Sequence, residues 1–191
     1  MRIASLALAL SASTALVACS SGNDPAAAPS DPASATGAAL QSVIATAPLA
    51  AADGSPLGEA SLVADGDRVE LRIAGTRLPA GVHGAHLHTT GKCEGPKFES
   101  AGAHLNPGNR KHGTENPEGS HLGDLPNLTV AADGTATMTA GLAEMRNAAE
   151  ATLFDADGTA LVIHAKPDDY KTDPSGDSGD RIACGVLTRS G

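Results

Sequence analysis

Short apolar runs, each ended by a cluster of turn residues, constrain this chain more than any other feature. Residues 40–46, 58–64 and 68–73 show partial period-two alternation, and Ala52-Asp53-Gly54-Ser55-Pro56 and Asp65-Gly66-Asp67 separate them. That spacing predicts antiparallel hairpins. Residues 82–88 read as a fourth strand, and 160–165 and 182–187 as two more. Asp133-Gly134, between 128–132 and 135–140, is a two-residue hairpin signal. About eight short strands without a sustained helical period predict an all-β sandwich or flattened barrel. Residues 141–149 could make a short helical turn. Aromatic residues are scarce at 2%, so Val, Leu, Ile and Ala must fill the core.

The N-terminus is built differently. Met1 and Arg2 give a positive start, residues 3–17 an apolar stretch diluted by Ser11, Ser13 and Thr14, and small Ala18 precedes Cys19. This is the layout of a secretory signal over residues 1–18. The run Leu16, Val17, Ala18, Cys19 resembles the bacterial lipobox, which implies a lipid on Cys19; the alternative is an ordinary signal peptide with an incidental cysteine. Residues 19–39, Ser, Gly, Asp, Pro and Ala without an apolar period, then read as a flexible linker. Residues 40–191 remain as one domain of ordinary size. Export to the periplasm or cell envelope is the expectation, and Ser20, which is not an acidic retention signal, points to the outer membrane.

The formal net charge is −9, which argues against a nucleic-acid or anionic-membrane surface, because either needs a basic face. Beyond the N-terminus no apolar segment reaches the roughly 18 residues that a membrane span requires. The folded part is expected to be soluble. With Cys19 used by the anchor, Cys93 and Cys184 are left in the domain. An oxidising compartment would pair them, closing a long loop worth on the order of 4 kcal/mol; a free thiol pair is the alternative.

Two long stretches, 89–127 and 166–180, lack a strand pattern. Loops beyond about 15 residues are uncommon unless functional or disordered. All seven histidines lie between 83 and 164, crowding these stretches. His86 and His88, at i and i+2 of a strand, leave the same face and can meet one metal ion, although a solvated strand face gives the same spacing. His104, His112 and His121, with Asp124 three residues on, are a full tetrahedral donor set of the kind zinc takes. Binding energy at such a set would order a loop that has no core of its own. His164 ends the apolar run Leu161-Val162-Ile163 and adds a third imidazole to His86 and His88, a nitrogen set suited to Cu(II); taken singly it reads as a buried, hydrogen-bonded histidine.

GVHGAHLH at 81–88, AGAHLNP at 101–107, RKHG at 110–113, HLGDLPNL at 121–128, LVIHAKPDD at 161–169 and GDRIACGV at 179–186 together resemble the Cu/Zn superoxide dismutase family, over residues 40–187. The resemblance implies a Greek-key β-sandwich, related in architecture to the immunoglobulin fold. It implies copper on His86, His88, His104 and His164, and zinc on His104, His112, His121 and Asp124, with His104 shared. Asp168 then matches a carboxylate joining a copper ligand to a zinc ligand, and His83 a histidine that bonds main chain near the copper. Arg181 matches the arginine that docks the anionic substrate. Cys93 and Cys184 match the family disulfide, which would also steady Arg181, three residues before Cys184.

There are departures. Ala85 and Leu105 stand where the family commonly has aromatics, which implies looser packing near the copper strand, and the Asp-rich segment 167–180 departs from the family's electrostatic loop. The activity implied is disproportionation of superoxide to oxygen and hydrogen peroxide by Cu(II)/Cu(I) cycling, with His104 giving one proton. Steering of an anion by a −9 protein would have to be local, set by Arg181 and the metal charges. Dimer surfaces differ within the family, so a homodimer is compatible with this sequence. A non-enzymatic copper and zinc buffer would keep every ligand but has no need of Arg181 or a shared histidine. An adhesive sandwich would leave His86, His88 and His164 unexplained.

Overall fold

A computed structural model of the chain describes residues 41–142 and 146–191. The proposed signal, Cys19 and the linker lie outside these residues, as does Leu40 of the first expected strand. Among the described residues ten strands are present: β1 (Ser42–Ala50), β2 (Pro56–Asp65), β3 (Arg68–Gly75), β4 (Gly81–His83), β5 (Ala85–His88), β6 (Leu128–Val130), β7 (Ala136–Gly141), β8 (Ala160–His164), β9 (Arg181–Val186) and β10 (Thr188–Arg189). One short helix, α1 (Arg146–Leu153), lies later than the helical turn expected at 141–149.

The strands form one curled antiparallel sheet in the order β5-β8-β9-β1-β2-β3-β7, with β10 on β1, and a two-stranded sheet β4-β6. Neighbours such as β5 with β8 and β3 with β7 are far apart in sequence, as Greek-key crossovers require. The hairpin at Asp65-Gly66-Asp67 forms, with Asp65 opposite Arg68. Alternation places Ala45, Ala47 and Leu49 of β1 and Val69, Leu71 and Ile73 of β3 in the core.

Two expectations change in detail. The strand expected over 82–88 is split at Gly84: β4 pairs with β6, whereas β5 pairs with β8. The Asp133-Gly134 turn also forms, with Ala131 N–H donating to the Thr135 carbonyl at 2.8 Å, but its two strands go to different sheets. Both changes arise where the chain crosses between sheets, which period-two patterning does not record. Ala85 and Leu105 are buried in the main core.

β8 is buried along its whole length, which positions the site. Leu161 and Ile163 face the main core, while Ala160 and Val162 face a satellite cluster with Phe98, Ala101 and Cys184. His86 is opposite Val162 and His88 opposite Ala160. His86, His88 and His164 therefore leave the sheet on the satellite side, beneath the two long loops.

Candidate metal centre

The loop containing His104 reaches the histidines of β5 through main-chain pairing. Leu105 N–H donates to the Leu87 carbonyl at 2.8 Å, Leu87 N–H to the Gly123 carbonyl at 2.9 Å, and Gly123 N–H to the Leu105 carbonyl at 2.9 Å. These bonds extend the edge of the sheet and set His104 beside His88 and Asp124 beside His86. A Cβ at Gly123 would overlap the Leu87 carbonyl, so this close approach needs glycine.

Two groups of four result, His86-His88-His104-His164 and His104-His112-His121-Asp124, each with its donor atoms within 4.8 Å of one another. The His104 ring lies 3.9 Å from His86 and 5.6 Å from His121, between centroids. All the histidines that the sequence singled out as ligands thus converge, and His104 belongs to both groups.

The hydrogen bonds fix which nitrogen each ring leaves free. His86 Nε2 donates to Asp168 Oδ2 at 2.7 Å, His88 Nδ1 to the Gly102 carbonyl at 3.0 Å, and His164 Nδ1 to the Gly179 carbonyl at 3.2 Å. On the other side, His112 Nε2 donates to Asp168 Oδ1 at 3.0 Å and His121 Nε2 to the Arg110 carbonyl at 3.2 Å. The opposite nitrogens, His86 Nδ1, His88 Nε2, His164 Nε2, His112 Nδ1 and His121 Nδ1, are buried without a hydrogen-bond partner, as is His104 Nε2. Buried polar atoms normally have partners. Here the orphaned atoms all face the centres of the two groups, as ligand lone pairs would.

The spacing agrees. Asp124 Oδ1 lies 3.1, 3.0 and 3.2 Å from Nδ1 of His104, His112 and His121. Bonds of about 2.0 Å to a tetrahedral ion give ligand–ligand edges of about 3.3 Å. Asp124 Oδ2 accepts the main-chain N–H groups of Gly113 and His121 at 2.8 and 2.9 Å, leaving Oδ1 aimed at the three rings. The residues present fit two ions sharing one imidazole.

Burial keeps three of these rings neutral. Burial lowers the pKa of His88 to about 2, of His164 to about 3 and of His104 to about 4. For His112, burial also pulls downward, but the carboxylates of Asp124 and Asp168 beside its two ring nitrogens outweigh it and raise the pKa to about 9. Burial pushes Asp124 and Asp168 upward, yet their imidazole and main-chain donors hold both carboxyls well below the ordinary range. Both carboxylates are therefore charged, and a cation in the second group has a counter-charge.

Asp168 joins the groups, bonding His86 with one oxygen and His112 with the other. His83 places Nδ1 2.8 Å from the His164 carbonyl and Nε2 2.9 Å from that of Pro79, tying the end of β8 to the chain before β4. Arg181 opens β9 and borders a cleft of about 260 Å³ lined also by His88, His104, His164 and Gly179. Burial lowers the pKa of its guanidinium, with Glu99 opposing. A wider depression of about 730 Å³ borders His104 and His121 from the side of Arg110 and Lys111. The smaller cleft is the one bordered by three residues of the all-histidine group, His88, His104 and His164.

Cys93 and Cys184 form a disulfide, with Cα atoms 5.6 Å apart. Three residues not singled out from the sequence also act on the site. Asn127 bonds the main chain of Asp168, Tyr170 receives the Asn127 N–H on its hydroxyl, and Phe98 accepts from Arg181 with its carbonyl. Each acts through main-chain atoms, which residue type does not reveal, although Asn127 and Tyr170 fall inside or beside the recognisable motifs.

Known proteins agree with this geometry. The family model described as Copper/zinc superoxide dismutase (SODC) matches residues 57–187. The chain is 42% identical to copper-zinc superoxide dismutase 1 of Aquifex aeolicus over 137 residues, 70% of this chain and 81% of the relative. It is 42% identical to the copper-zinc superoxide dismutase of Caulobacter vibrioides over 147 residues, 75% and 84% of the two chains. A crystal structure of a SOD-like protein from Bacillus subtilis superposes with a TM-score of 0.67 at 37% identity, covering 75% of this chain and 97% of that one. With its fold, donor sets and relatives in agreement, the chain belongs to the copper/zinc superoxide dismutase family.

Proposed function

We propose that the chain is a superoxide dismutase holding copper at His86, His88, His104 and His164, and zinc at His104, His112, His121 and Asp124. The observation that carries this reading is the convergence of six buried, unpartnered imidazole nitrogens on two points that share His104. Bound copper supplies one-electron redox chemistry, so that two superoxide ions and two protons become one oxygen and one hydrogen peroxide. Zinc would serve as a structural ion with four protein ligands.

The chain's own groups do the rest. Arg181 attracts and orients the anion at the mouth of the cleft, where the net charge of −9 is screened beyond about 8 Å. His104 can deliver one proton from Nε2, the nitrogen left without a partner, while Nδ1 stays on the Asp124 side. Asp168 holds His86 and His112 in the tautomers that leave both Nδ1 atoms free.

Protein loaded with copper and zinc should consume superoxide rapidly; inactivity with both metals bound would instead indicate a metal buffer. Arg181→Ala should lower the rate at low ionic strength and leave metal content unchanged. Equal loss of copper would refute the docking role.

Residues 1–18 are assigned as an export signal and Cys19 as the lipid-bearing residue of an envelope protein, on sequence pattern alone. Mass measurement of the mature N-terminus from a membrane fraction tests both, and sizing of the soluble domain tests for a homodimer.

A further inference from the structure

We propose that zinc exchanges through an entrance of its own, the wide depression beside Arg110 and Lys111, and that Asp173 is the latch which sets the rate by holding the His112 main chain. Among the ligand histidines this depression is bordered by His104 and His121, whereas the smaller cleft beside Arg181 is bordered by His88, His104 and His164. Ala103, His104 and Pro174 border both, so the segment carrying Asp173 and Pro174 stands where the two openings meet. His112 has no exposed surface and borders neither. The inference rests on the assignment of zinc to His104, His112, His121 and Asp124.

Asp173 joins the two long loops. Its Oδ1 accepts the His112 N–H at 2.7 Å, and its Oδ2 accepts from Lys111 Nζ at 3.1 Å. The carboxylate is presented by a turn that Asp169 caps, its Oδ1 accepting the N–H groups of Lys171 and Thr172 at 3.0 and 2.8 Å. Three residues before Asp173, the Tyr170 carbonyl accepts the Glu115 N–H at 2.9 Å, a second tie between the loops. The two bonds of Asp173 are unequal. The ion pair is exposed, at 52% for the Lys111 side chain and 41% for that of Asp173, and such pairs contribute little. The bond from His112 is part-buried and has a charged acceptor, which strengthens it. It also acts on the main chain of a residue whose ring lies between the carboxylates of Asp124 and Asp168, 3.0 Å from each. Freeing this N–H loosens the zinc side alone: the bonds orienting His86, His88 and His164, to Asp168, Gly102 and Gly179, do not pass through Asp173.

The readout is exchange of bound zinc for isotopically enriched zinc in the copper- and zinc-loaded protein, followed by elemental mass spectrometry that counts copper in the same samples. Asp173→Ala should speed zinc exchange about tenfold, as expected for loss of a group that orients a ligand, and leave copper in place. Asp173→Asn removes the charge but keeps an oxygen for the His112 N–H, and Lys111→Met removes the ion pair alone; each should stay within about threefold of the unaltered protein. The Ala and Asn variants lose the same negative charge, so the difference between them reads the main-chain bond and not attraction for the cation. Equal exchange in these two variants would overturn the latch. Copper lost in step with zinc from Asp173→Ala would overturn the separate entrance. Glu118→Trp, which places an indole on the border of the depression, should slow zinc exchange several-fold, and an unchanged rate would also overturn the entrance. An unaltered protein that holds copper but no zinc would refute the zinc assignment itself, an outcome distinct from zinc that is held and exchanges at one rate in every variant.

Discussion

Asn127 grips the main chain of Asp168 at both of its polar atoms: Nδ2 donates to the Asp168 carbonyl at 2.9 Å, and the Asp168 N–H donates to Oδ1 at 2.8 Å. Asp168 in turn bonds His86 with one carboxylate oxygen and His112 with the other. A residue beyond the ligand sets therefore fixes the height and direction of the carboxylate that couples them. The loop 166–180 is closed over the zinc-type group at this point, and Gly176 allows it, since a Cβ there would overlap Asp168 Oδ1.

Asn127→Ala should therefore act on both groups at once. The buried Asp168 N–H and carbonyl would each lose a partner, at about 1–3 kcal/mol of stability. Loss of an orienting partner typically weakens metal binding by about ten- to a hundredfold. Zinc and copper titrations against a competing chelator measure this. Unchanged affinity for both ions would show that Asp168 holds its place without Asn127.

His104 is the member common to the two groups of four. His104→Ala should lower the retention of both ions, whereas His88→Ala should lower that of copper alone. Elemental analysis after dialysis against a weak chelator separates these outcomes. If His104→Ala retained zinc as well as His88→Ala does, the sharing would be wrong.

The Cys93–Cys184 bond spans a sequence separation of 91 residues. In the chain-entropy account, removing it should cost about 4–5 kcal/mol. For a domain of this size that corresponds to a fall in Tm of roughly 10–15 °C. Thermal unfolding of the metal-free Cys93→Ser/Cys184→Ser protein tests it.

The sequence made the strands and ligands legible for different reasons. Strands β1 to β3 are visible because each short apolar run ends at a turn cluster whose chemistry matches the turn formed, as at Gly66 with φ 60°. The break at Gly84 is not visible, because GVHGAHLH keeps its alternation while the chain passes from one sheet to the other. Ligands could be read because imidazoles and carboxylates have few other reasons to concentrate. Phe98 could not, since a buried phenylalanine looks like any core residue until the partner of its carbonyl is known. Asn127 is hidden similarly: its amide acts on main-chain atoms 41 residues away.

Acid should destabilise the metal-free protein well before its carboxylates titrate. His88 and His164 have folded pKa values of about 2 and about 3, and His104 about 4, against an ordinary 6.5, chiefly through burial. Below pH 6.5 the unfolded chain takes up these protons and the folded one does not. The stability they contribute is thus complete above pH 6.5 and declines as pH falls toward 4, by about 1.4 kcal/mol per pH unit for each ring. His112 has the opposite sign: raised to about 9, its contribution is complete below pH 6.5 and is lost as pH rises through 9. Asp124 and Asp168 are held below their ordinary 3.8, so their losses begin only in stronger acid. Urea unfolding of the metal-free domain across pH 4 to 9 should therefore give a maximum near 6.5, with the steeper side toward acid because three rings titrate there against one. A stability that stays level from pH 6.5 to 4.5 would mean these rings are hydrated in the metal-free state, and the burial that keeps their free nitrogens ready for a metal would then be absent before the metal arrives.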